Sequence, residues 1–342
     1  MYETFYGFSG NPFRLNPDPS LFFKSKGHQR AYAYLKYGTY QREGFIVMTG
    51  EIGAGKTTLV RRLLGELDPN SVLAAHLVST QLGADDLLHA IALAFGLSVE
   101  DTTKASLLAT LEMFLRLLVR HERHALLIVD EAQNLAPCAM EELRMLSNFQ
   151  IGIRPTLQSF LVGQPELRDL MQDDAMRQLR QRVIAACHLG PLGAEETRAY
   201  IEHRLRRVGW KGDPSFDPKV FELVHESSQG IPRCINCLCN RLLLGGYLSR
   251  SHNIGLGQVT QAIAELHEEV GVAPPRCTAP GSAPTNGHRN GGIAQAFMDS
   301  SNGDGAPPSM DPSIRARLDR LEKSVSRVQD LVQAMASTDG RV

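Results

Sequence analysis

The feature that most constrains this chain is the glycine-rich run GEIGAGKTT at residues 50–58, which fits the pattern G-x-x-x-x-G-K-[ST]. An apolar segment at residues 45–49 precedes it, and a helical pattern at residues 58–67 follows it. Glycines let a loop curl so that successive backbone N–H groups face one centre, and the start of a helix adds partial positive charge there. The run therefore predicts a phosphate-binding loop between a strand and a helix.

The side chains of this loop indicate how it would hold a nucleotide. Lys56 would reach the β and γ phosphates, and the hydroxyl of Thr57 would bind Mg²⁺. The residues expected to contact the nucleotide are Gly50, Glu51, Ile52, Gly53, Ala54, Gly55, Lys56, Thr57 and Thr58.

A second apolar run, residues 124–129, ends in two acids and predicts the other half of the site. Asp130 would hold Mg²⁺ directly or through a water molecule. Glu131 would orient and polarise the water that attacks the γ phosphate in line. A glutamate directly after the aspartate favours hydrolysis by water, whereas an aspartate alone would suit a switch or a kinase.

Three further polar residues are candidates for the surroundings of the γ phosphate. Gln164 follows the apolar run at residues 159–162 and is either a phosphate sensor or an ordinary turn residue. Arg180 and Arg182 lie near the end of a helix expected over residues 166–182. They either stabilise that helix end or act as an arginine finger in a neighbouring subunit's site.

Arg233 belongs to the sequence GIPR at residues 230–233, in which glycine and proline predict the start of a helix. A cation in the first turn of a helix opposes the helix dipole. An anionic partner such as a nucleotide phosphate would explain its position.

The spacing of apolar residues predicts an α/β architecture. Residues 41–190 alternate short β-branched runs with helical patterns, which is typical of a parallel sheet with helices on both faces. Strands are expected at residues 45–49, 72–79, 126–129, 159–162 and 183–189. Residues 1–40 start with aromatic side chains and become helical at 31–40, and residues 191–270 show helical periods only.

The last part of the chain differs in composition. Residues 273–310 are rich in Gly and Pro and are expected to form a flexible, disordered linker. Residues 311–336 carry apolar side chains at alternating spacings of 4 and 3 from Ile314 to Met335, which predicts a short coiled-coil-like helix. That helix either pairs with another copy or a partner's helix, or docks on its own domain.

Charge and composition exclude some classes of protein. The 36 basic and 37 acidic residues give a net charge of −1, which disfavours binding of nucleic acid through bulk positive charge and leaves only a local patch such as residues 204–211. Six cysteines without a secretory signal indicate reduced thiols in a cytoplasm. No apolar run approaches the roughly 18 residues that cross a bilayer, so we expect membrane attachment only through a partner.

Taken together, the motifs resemble those of AAA+ ATPases. The resemblance is carried by the glycine-rich loop, by LLIVDEAQNL at residues 126–135, LVGQPELRDL at 161–170, QLRQRV at 178–183 and GIPR at 230–233. It covers residues 1–270 and is greatest to ATPases related to general secretion pathway protein A. Among these, the chain looks most like the secretion ATPases of exosortase A (PEP-CTERM) and exopolysaccharide loci.

The resemblance implies a P-loop αβα domain with a C-terminal helical lid, binding of ATP with Mg²⁺, and assembly into a homo-oligomer. It implies that Gln164 is the sensor 1 residue and Arg233 the sensor 2 residue, and that the N-terminal aromatic segment packs near the adenine. ATP hydrolysis would drive or switch assembly of an envelope secretion or exopolysaccharide export system. Partners would be met through the segment from Ile314 to Met335, and the protein would lie in the cytoplasm, either free or at the inner membrane through a partner.

Two other functions stay open from the sequence. One is a DNA-binding ATPase of the transposition or replication type, which the basic residues Arg204, Arg206, Arg207 and Lys211 would serve. The other is a nucleotide-gated scaffold that hydrolyses ATP slowly and acts through its C-terminal heptads.

Overall fold

The computed structural model describes residues 1–270 apart from Pro17 and residues 79–81, 99–102 and 153. The linker expected at 273–310 and the heptad helix expected at 311–336 lie outside the described residues. The strands are β1 (Phe45–Gly50), β2 (Val72–Val78), β3 (His124–Asp130), β4 (Gln150–Ile151), β5 (Arg154–Pro155), β6 (Leu157–Gly163), β7 (Val183–Leu189), β8 (Ser215–Phe216) and β9 (Asn253–Ile254).

The helices begin and end as follows: α1 Tyr2–Phe5, α2 Lys26–Gln41, α3 Lys56–Glu66, α4 Ala84–Ala94, α5 Lys104–Arg120, α6 Pro137–Leu146, α7 Pro165–Gln172, α8 Arg177–Arg180, α9 Ala194–Arg207, α10 Pro218–Ser228, α11 Pro232–Leu248 and α12 Leu256–Val270. Short 3₁₀ turns lie at Pro19–Leu21, Ala132–Asn134 and Asp174–Met176.

A five-stranded parallel sheet in the order β2-β3-β6-β1-β7 forms the centre of the fold. Every residue of β1, β3 and β6 is buried, because helices cover both faces of a parallel sheet. Side chains of β1 alternate between the faces: Phe45 and Val47 pack with α4–α7, whereas Ile46 and Met48 pack with α2 and α3. The predicted parallel α/β sheet with helices on both faces is confirmed.

The helices α9–α12, which we call the lid, share a separate core with the start of the chain. Tyr2, Tyr6, Phe8 and Phe13 are buried in it beside lid residues. The hydroxyl of Tyr2 donates to Oδ1 of Asn240 over 2.6 Å. The N-terminal aromatic segment is therefore part of the lid, and the chain crosses from the lid to the sheet before α2.

Two details of the predicted elements are wrong. The lid region contains a short parallel pair, β8 with β9, where the sequence predicts helices only; it forms because Ile254 joins the lid core and pairs with the extended stretch before α10. The helix expected over 166–182 is broken into α7, a 3₁₀ turn and α8. Asp173 is extended there (φ −56°, ψ 144°) and its carboxylate caps the N–H of Ala175, which starts a new turn.

Candidate nucleotide-binding site

The glycine-rich loop joins β1 to α3 at the carboxyl edge of the sheet. Gly53 (φ +84°) and Gly55 (φ +102°) adopt the left-handed backbone that side chains disfavour, and Gly55 is the N-cap of α3. Space is also limited, because a Cβ on Gly55 would lie 2.8 Å from Nε2 of His28 and a Cβ on Gly53 would collide with Cβ of Arg233. The two glycines allow both the curl of the loop and the close approach of its neighbours.

Lys56 lies at the start of α3 with only 6% of its surface exposed. Its ammonium donates to the carbonyl oxygens of Gly50 (2.7 Å) and Glu51 (3.1 Å), which belong to the loop itself. Burial lowers the pKa of Lys56, and the nearby carboxylates of Glu131 and Asp130 oppose that shift. The structure thus places a buried cation inside the curl of the loop.

Thr57 and Asp130 meet across the site. The hydroxyl of Thr57 donates to Oδ2 of Asp130 over 3.1 Å, and Nε2 of His76 lies 3.7 Å from the same oxygen. Burial alone would raise the pKa of Asp130, but the nearby His76 ring and the hydrogen bonds from Thr57 and the N–H of Glu131 hold it below its usual value.

These two oxygen ligands suit Mg²⁺, which is usually held by one or two protein oxygens together with phosphates and water. Among the described residues, no group of three or more His, Cys, Asp or Glu side chains could hold a metal by itself. The donor set therefore fits a magnesium ion that shares its ligands with a bound nucleotide.

Glu131 is held by two glutamine side chains. Nε2 of Gln164 donates to Oε2 of Glu131 over 3.0 Å, and Nε2 of Gln133 donates to the same oxygen over 2.7 Å. Gln164 is the N-cap of α7 at the end of β6, the strand between β1 and β3. The structure therefore brings the predicted Gln164 to the predicted Glu131.

Gln133 was not among the predicted site residues. The sequence feature that could have pointed to it is its place as the last residue of DEAQ, two positions after Glu131. The 3₁₀ turn after β3 folds it back onto the carboxylate, and sequence spacing alone does not reveal that turn.

Arg233 lies in the first turn of α11 and faces the loop. Its backbone N–H approaches the carbonyl of Gly53 at 3.3 Å, and Pro232 occupies the first helical position as predicted. Gly230 precedes the helix with φ +70°, and a Cβ there would collide with the carbonyl oxygen of Leu192. The lid thus meets the phosphate-binding loop at Arg233.

A cavity of about 390 Å³ lies between loop, lid and N-terminal segment. Its lining includes Ile52, Gly53, Ala54, Gly55, Lys56, Thr57, Thr58, Glu131 and Arg233 from the predicted site. The apolar part of the lining comes from Leu15, Leu21, Phe22, Phe23 and Pro232. A volume of this size is within the range of ligand pockets. Leu15, Leu21, Phe22 and Phe23 thus line the cavity, while the aromatic residues before them pack in the lid.

His28, at the start of α2, supports the loop from behind. Its Nδ1 lies 2.6 Å from Oγ of Ser25, and its Nε2 lies 3.1 Å from the carbonyl oxygen of Ala54. Burial lowers the pKa of His28. Because a carbonyl only accepts, the neutral ring carries its proton on Nε2 and accepts at Nδ1 from Ser25. No sequence motif predicts this contact, because His28 and Ala54 are 26 positions apart in the chain.

Arg180 and Arg182 do not line the cavity of their own chain. Nη1 of Arg180 donates to the carbonyl of Met171 over 2.7 Å. The guanidinium of Arg182 donates to Oγ of Ser147 over 2.9 Å and to Oδ1 of Asn148. Arg180 is the more exposed of the two.

Comparison with known proteins gives the family. Residues 39–171 match the family described as an AAA domain. General secretion pathway protein A of Aeromonas hydrophila is 38% identical over 268 residues, which make up 78% of this chain and 48% of that protein. The chain carries an AAA ATPase domain. It is related to general secretion pathway protein A and spans about half the length of that curated relative.

Solved structures agree on the fold. The ORC2 protein of Aeropyrum pernix in its ADP form has a TM-score of 0.55 and 17% identity, over 77% of this chain and 74% of that chain. Drosophila ORC bound to DNA has a TM-score of 0.56 and 17% identity, over 78% of this chain and 65% of that chain. At such identities the likeness concerns the fold alone. Among the described residues of this AAA+ ATPase, no helix combines the length and apolar character needed to cross a membrane.

Proposed function

We propose that this ATPase binds ATP with Mg²⁺ in the cavity beside the glycine-rich loop and hydrolyses it with Glu131 as the residue that orients the attacking water. The observation that carries the proposal is the joint position of Lys56, Thr57, Asp130 and Glu131. They lie at the carboxyl ends of β1 and β3, and Gln164 lies between them at the end of β6. Ligands of α/β proteins bind at this edge of the sheet.

Each side chain has a distinct task in this mechanism. The loop N–H groups and the ammonium of Lys56 hold the β and γ phosphates. To bind them, the ammonium gives up its hydrogen bonds to the carbonyl oxygens of Gly50 and Glu51. Thr57 and Asp130 would hold Mg²⁺, which when bound would neutralise negative charge on the phosphates. Glu131 orients the water and receives its proton, and Gln164 contacts the γ phosphate.

Arg233 connects hydrolysis to the lid in this proposal. Its guanidinium adds positive charge at the cavity, and its backbone already lies against Gly53. Loss of the γ phosphate removes an anionic partner of Arg233, so the lid is free to move away from the loop. The nucleotide state is thereby reported to whatever the lid contacts.

The test of the chemistry is the ATP hydrolysis rate of Glu131→Gln and Lys56→Ala proteins. We expect Glu131→Gln to lower kcat by about 10²- to 10⁴-fold while it still binds ATP, because only the base is lost. We expect Lys56→Ala to lose ATP binding as well. Glu112→Gln is the matched control, since that carboxylate only pairs with Arg116 on the surface of α5. Hydrolysis at the normal rate in Glu131→Gln would rule out the proposed role.

We infer further that hydrolysis drives or switches assembly of an envelope secretion or exopolysaccharide export system of the exosortase (PEP-CTERM) type, at the cytoplasmic face of the inner membrane. The 38% identity to general secretion pathway protein A supports a secretion-associated role. Partner proteins would bind the segment from Ile314 to Met335. In a strain that lacks this protein, the wild type should restore polysaccharide and surface-protein export. The Glu131→Gln protein should not.

The structure of the lid weakens the DNA-binding alternative, because two of the basic residues that the sequence offers for it are buried or paired. Arg204 is buried and donates to the carbonyls of Pro12 and Arg14, and Arg206 pairs with Glu202 at 2.6 Å. The basic run therefore does not form a continuous charged strip. Stimulation of ATP hydrolysis by duplex DNA, lost at higher salt, would favour that alternative over the secretion role.

A further inference from the structure

The amide of Gln133 joins two of the polar groups at the hydrolysis end of the site. Its Nε2 donates to Oε2 of Glu131 over 2.7 Å, and its Oε1 accepts from the backbone N–H of Gln164 over 3.0 Å. Gln133 lies in the 3₁₀ turn Ala132–Asn134, directly after β3. One side chain therefore ties the end of β3 to the end of β6.

The orientation of this amide follows from its partners. A backbone N–H only donates, so the atom that faces Gln164 is the amide oxygen, and an ionised carboxylate only accepts, so the atom that faces Glu131 is the amide nitrogen. The neighbouring backbone leaves room for this arrangement because residue 163 is glycine. A Cβ on Gly163 would lie 2.6 Å from Oε1 of Gln133.

Glu131 needs such support because of where it lies. Its φ of +53° is in the left-handed region, so the chain turns sharply there and the side chain leaves the line of β3. Within the described chain, both amide bonds to its carboxylate fall on Oε2. In the proposed function, the other oxygen, Oε1, is then the one that would face the attacking water.

We propose that Gln133 is a positioning residue for ATP hydrolysis, which keeps Glu131 in place while Gln164 turns its amide to the γ phosphate. The inference rests on the proposed function, in which Glu131 orients water and Gln164 contacts phosphate. Nε2 of Gln164 donates to Glu131 here, and in the proposed mechanism it gives up that bond when its amide turns to the γ phosphate. Gln133 is anchored at its far end by a backbone N–H, so it stays on Glu131 when Gln164 is engaged.

The role makes a distinct kinetic prediction. Loss of Gln133 leaves the loop, Lys56 and the Mg²⁺ ligands in place, so ATP binding is preserved. It releases Glu131, and a displaced base lowers the rate of the chemical step. We therefore expect Gln133→Met to lower kcat by about 10- to 100-fold while KM and the Kd for a fluorescent ATP analogue stay within about twofold.

Two companion variants make the test specific. Gln133→Glu keeps an acceptor for the N–H of Gln164, so the tie between the strand ends survives, but it sets a second carboxylate against Glu131 and should also lower kcat. Asn134→Ala is the matched control, because that exposed neighbour lies in the same turn with its side chain outside the network. Melting temperatures of all three proteins report whether the fold is intact.

The outcomes separate this inference from the proposed function. Normal kcat in Gln133→Met and Gln133→Glu, with Glu131→Gln inactive, overturns the role of Gln133 and leaves the proposed function standing. Equal losses in kcat and in ATP affinity also overturn it, since they mean that Gln133 only maintains the fold of the site. Normal hydrolysis in Glu131→Gln overturns the proposed function and this inference together.

Discussion

At the scale of single residues, His124 is a buried base outside the nucleotide site. It begins β3 with 5% of its surface exposed, and neither ring nitrogen has a hydrogen-bond partner in the described chain. Burial, with a smaller contribution from the charge of Arg42, lowers the pKa of His124 to about 4. The neutral ring packs in the folded state, and its protonation favours the unfolded chain.

The buried His124 makes the folded protein less stable at acidic pH. Between pH 6.5 and 4 the unfolded chain binds a proton at His124 and the folded chain does not, so stability is full above pH 6.5 and falls as the pH drops toward 4. From pH 7 to pH 5 this one group removes about 2 kcal/mol. In urea unfolding, the free energy of unfolding should fall between pH 7 and pH 5 by about 2 kcal/mol less in His124→Leu than in the wild type. An identical loss in both proteins would mean that His124 does not contribute.

Some residues of the candidate site belong to short sequence motifs, whereas others reach the site only through the way the chain folds. Lys56, Thr57, Asp130 and Glu131 belong to short motifs next to apolar strands, and the parallel sheet then brings these strand ends to one edge. Their positions could be predicted from the sequence for that reason. Gln133 could not, because its contact depends on the 3₁₀ turn and on the left-handed backbone of the preceding glutamate.

At the scale of elements, predictions succeeded where a helix or strand has a strong period and failed where one polar side chain ends it. The strand expected at 183–189 has the bounds that the sequence predicts, and the helix expected to start at GIPR begins at Pro232. The break at Asp173 was missed, because a carboxylate that caps a new turn competes with a helical period that continues on both sides. The β8–β9 pair was missed because its strands have two residues each.

The turn between α10 and α11 provides a prediction at this scale. Gly230 combines φ +70° with a backbone contact, since the N–H of Leu192 donates to its carbonyl over 2.9 Å. Gly230→Ala should lower the free energy of unfolding by about 1–2 kcal/mol or more, because a side chain disfavours that backbone and collides with Leu192.

The matched substitution is Gly65→Ala in α3, an exposed helical glycine with open space around it. It should raise the free energy of unfolding by about 0.5–1 kcal/mol, since alanine favours helix more than glycine. Chemical denaturation of both variants checks the pair. Opposite signs are expected, and a stable Gly230→Ala protein would show that the turn adapts to a side chain.

At the scale of the whole molecule, the N-terminal segment links the two parts that meet at the nucleotide cavity. Tyr2 and Phe13 are buried in the lid core, Leu15, Phe22 and Phe23 line the cavity, and α2 packs on the sheet beside β1 and β7. Because the segment contacts both parts, we expect it to follow any movement of the lid relative to the sheet. A nucleotide bound as proposed in this cavity would meet both this segment and Arg233.

A complete site for hydrolysis also needs positive charge on the far side of the γ phosphate, which neither Arg180 nor Arg182 gives to its own cavity. We propose that the chain forms a homo-oligomer in which one of them acts in a neighbouring subunit's site. Arg182 is half-buried and braced by Ser147 and Asn148. Arg180 is more exposed and is bonded to a single carbonyl, so the finger role suits it better.

Mixing inactive proteins tests this assignment. If Arg180 acts across an interface, Glu131→Gln and Arg180→Ala proteins are each inactive, but an interface that pairs the intact Glu131 of one with the intact Arg180 of the other is complete. About a quarter of the interfaces in an equal random mixture have that pairing. Hydrolysis should therefore return to roughly that share of the wild-type rate. Arg182→Ala should instead lower the melting temperature, because it removes the brace to Ser147. A mixture that stays inactive would place the action of Arg180 within its own chain.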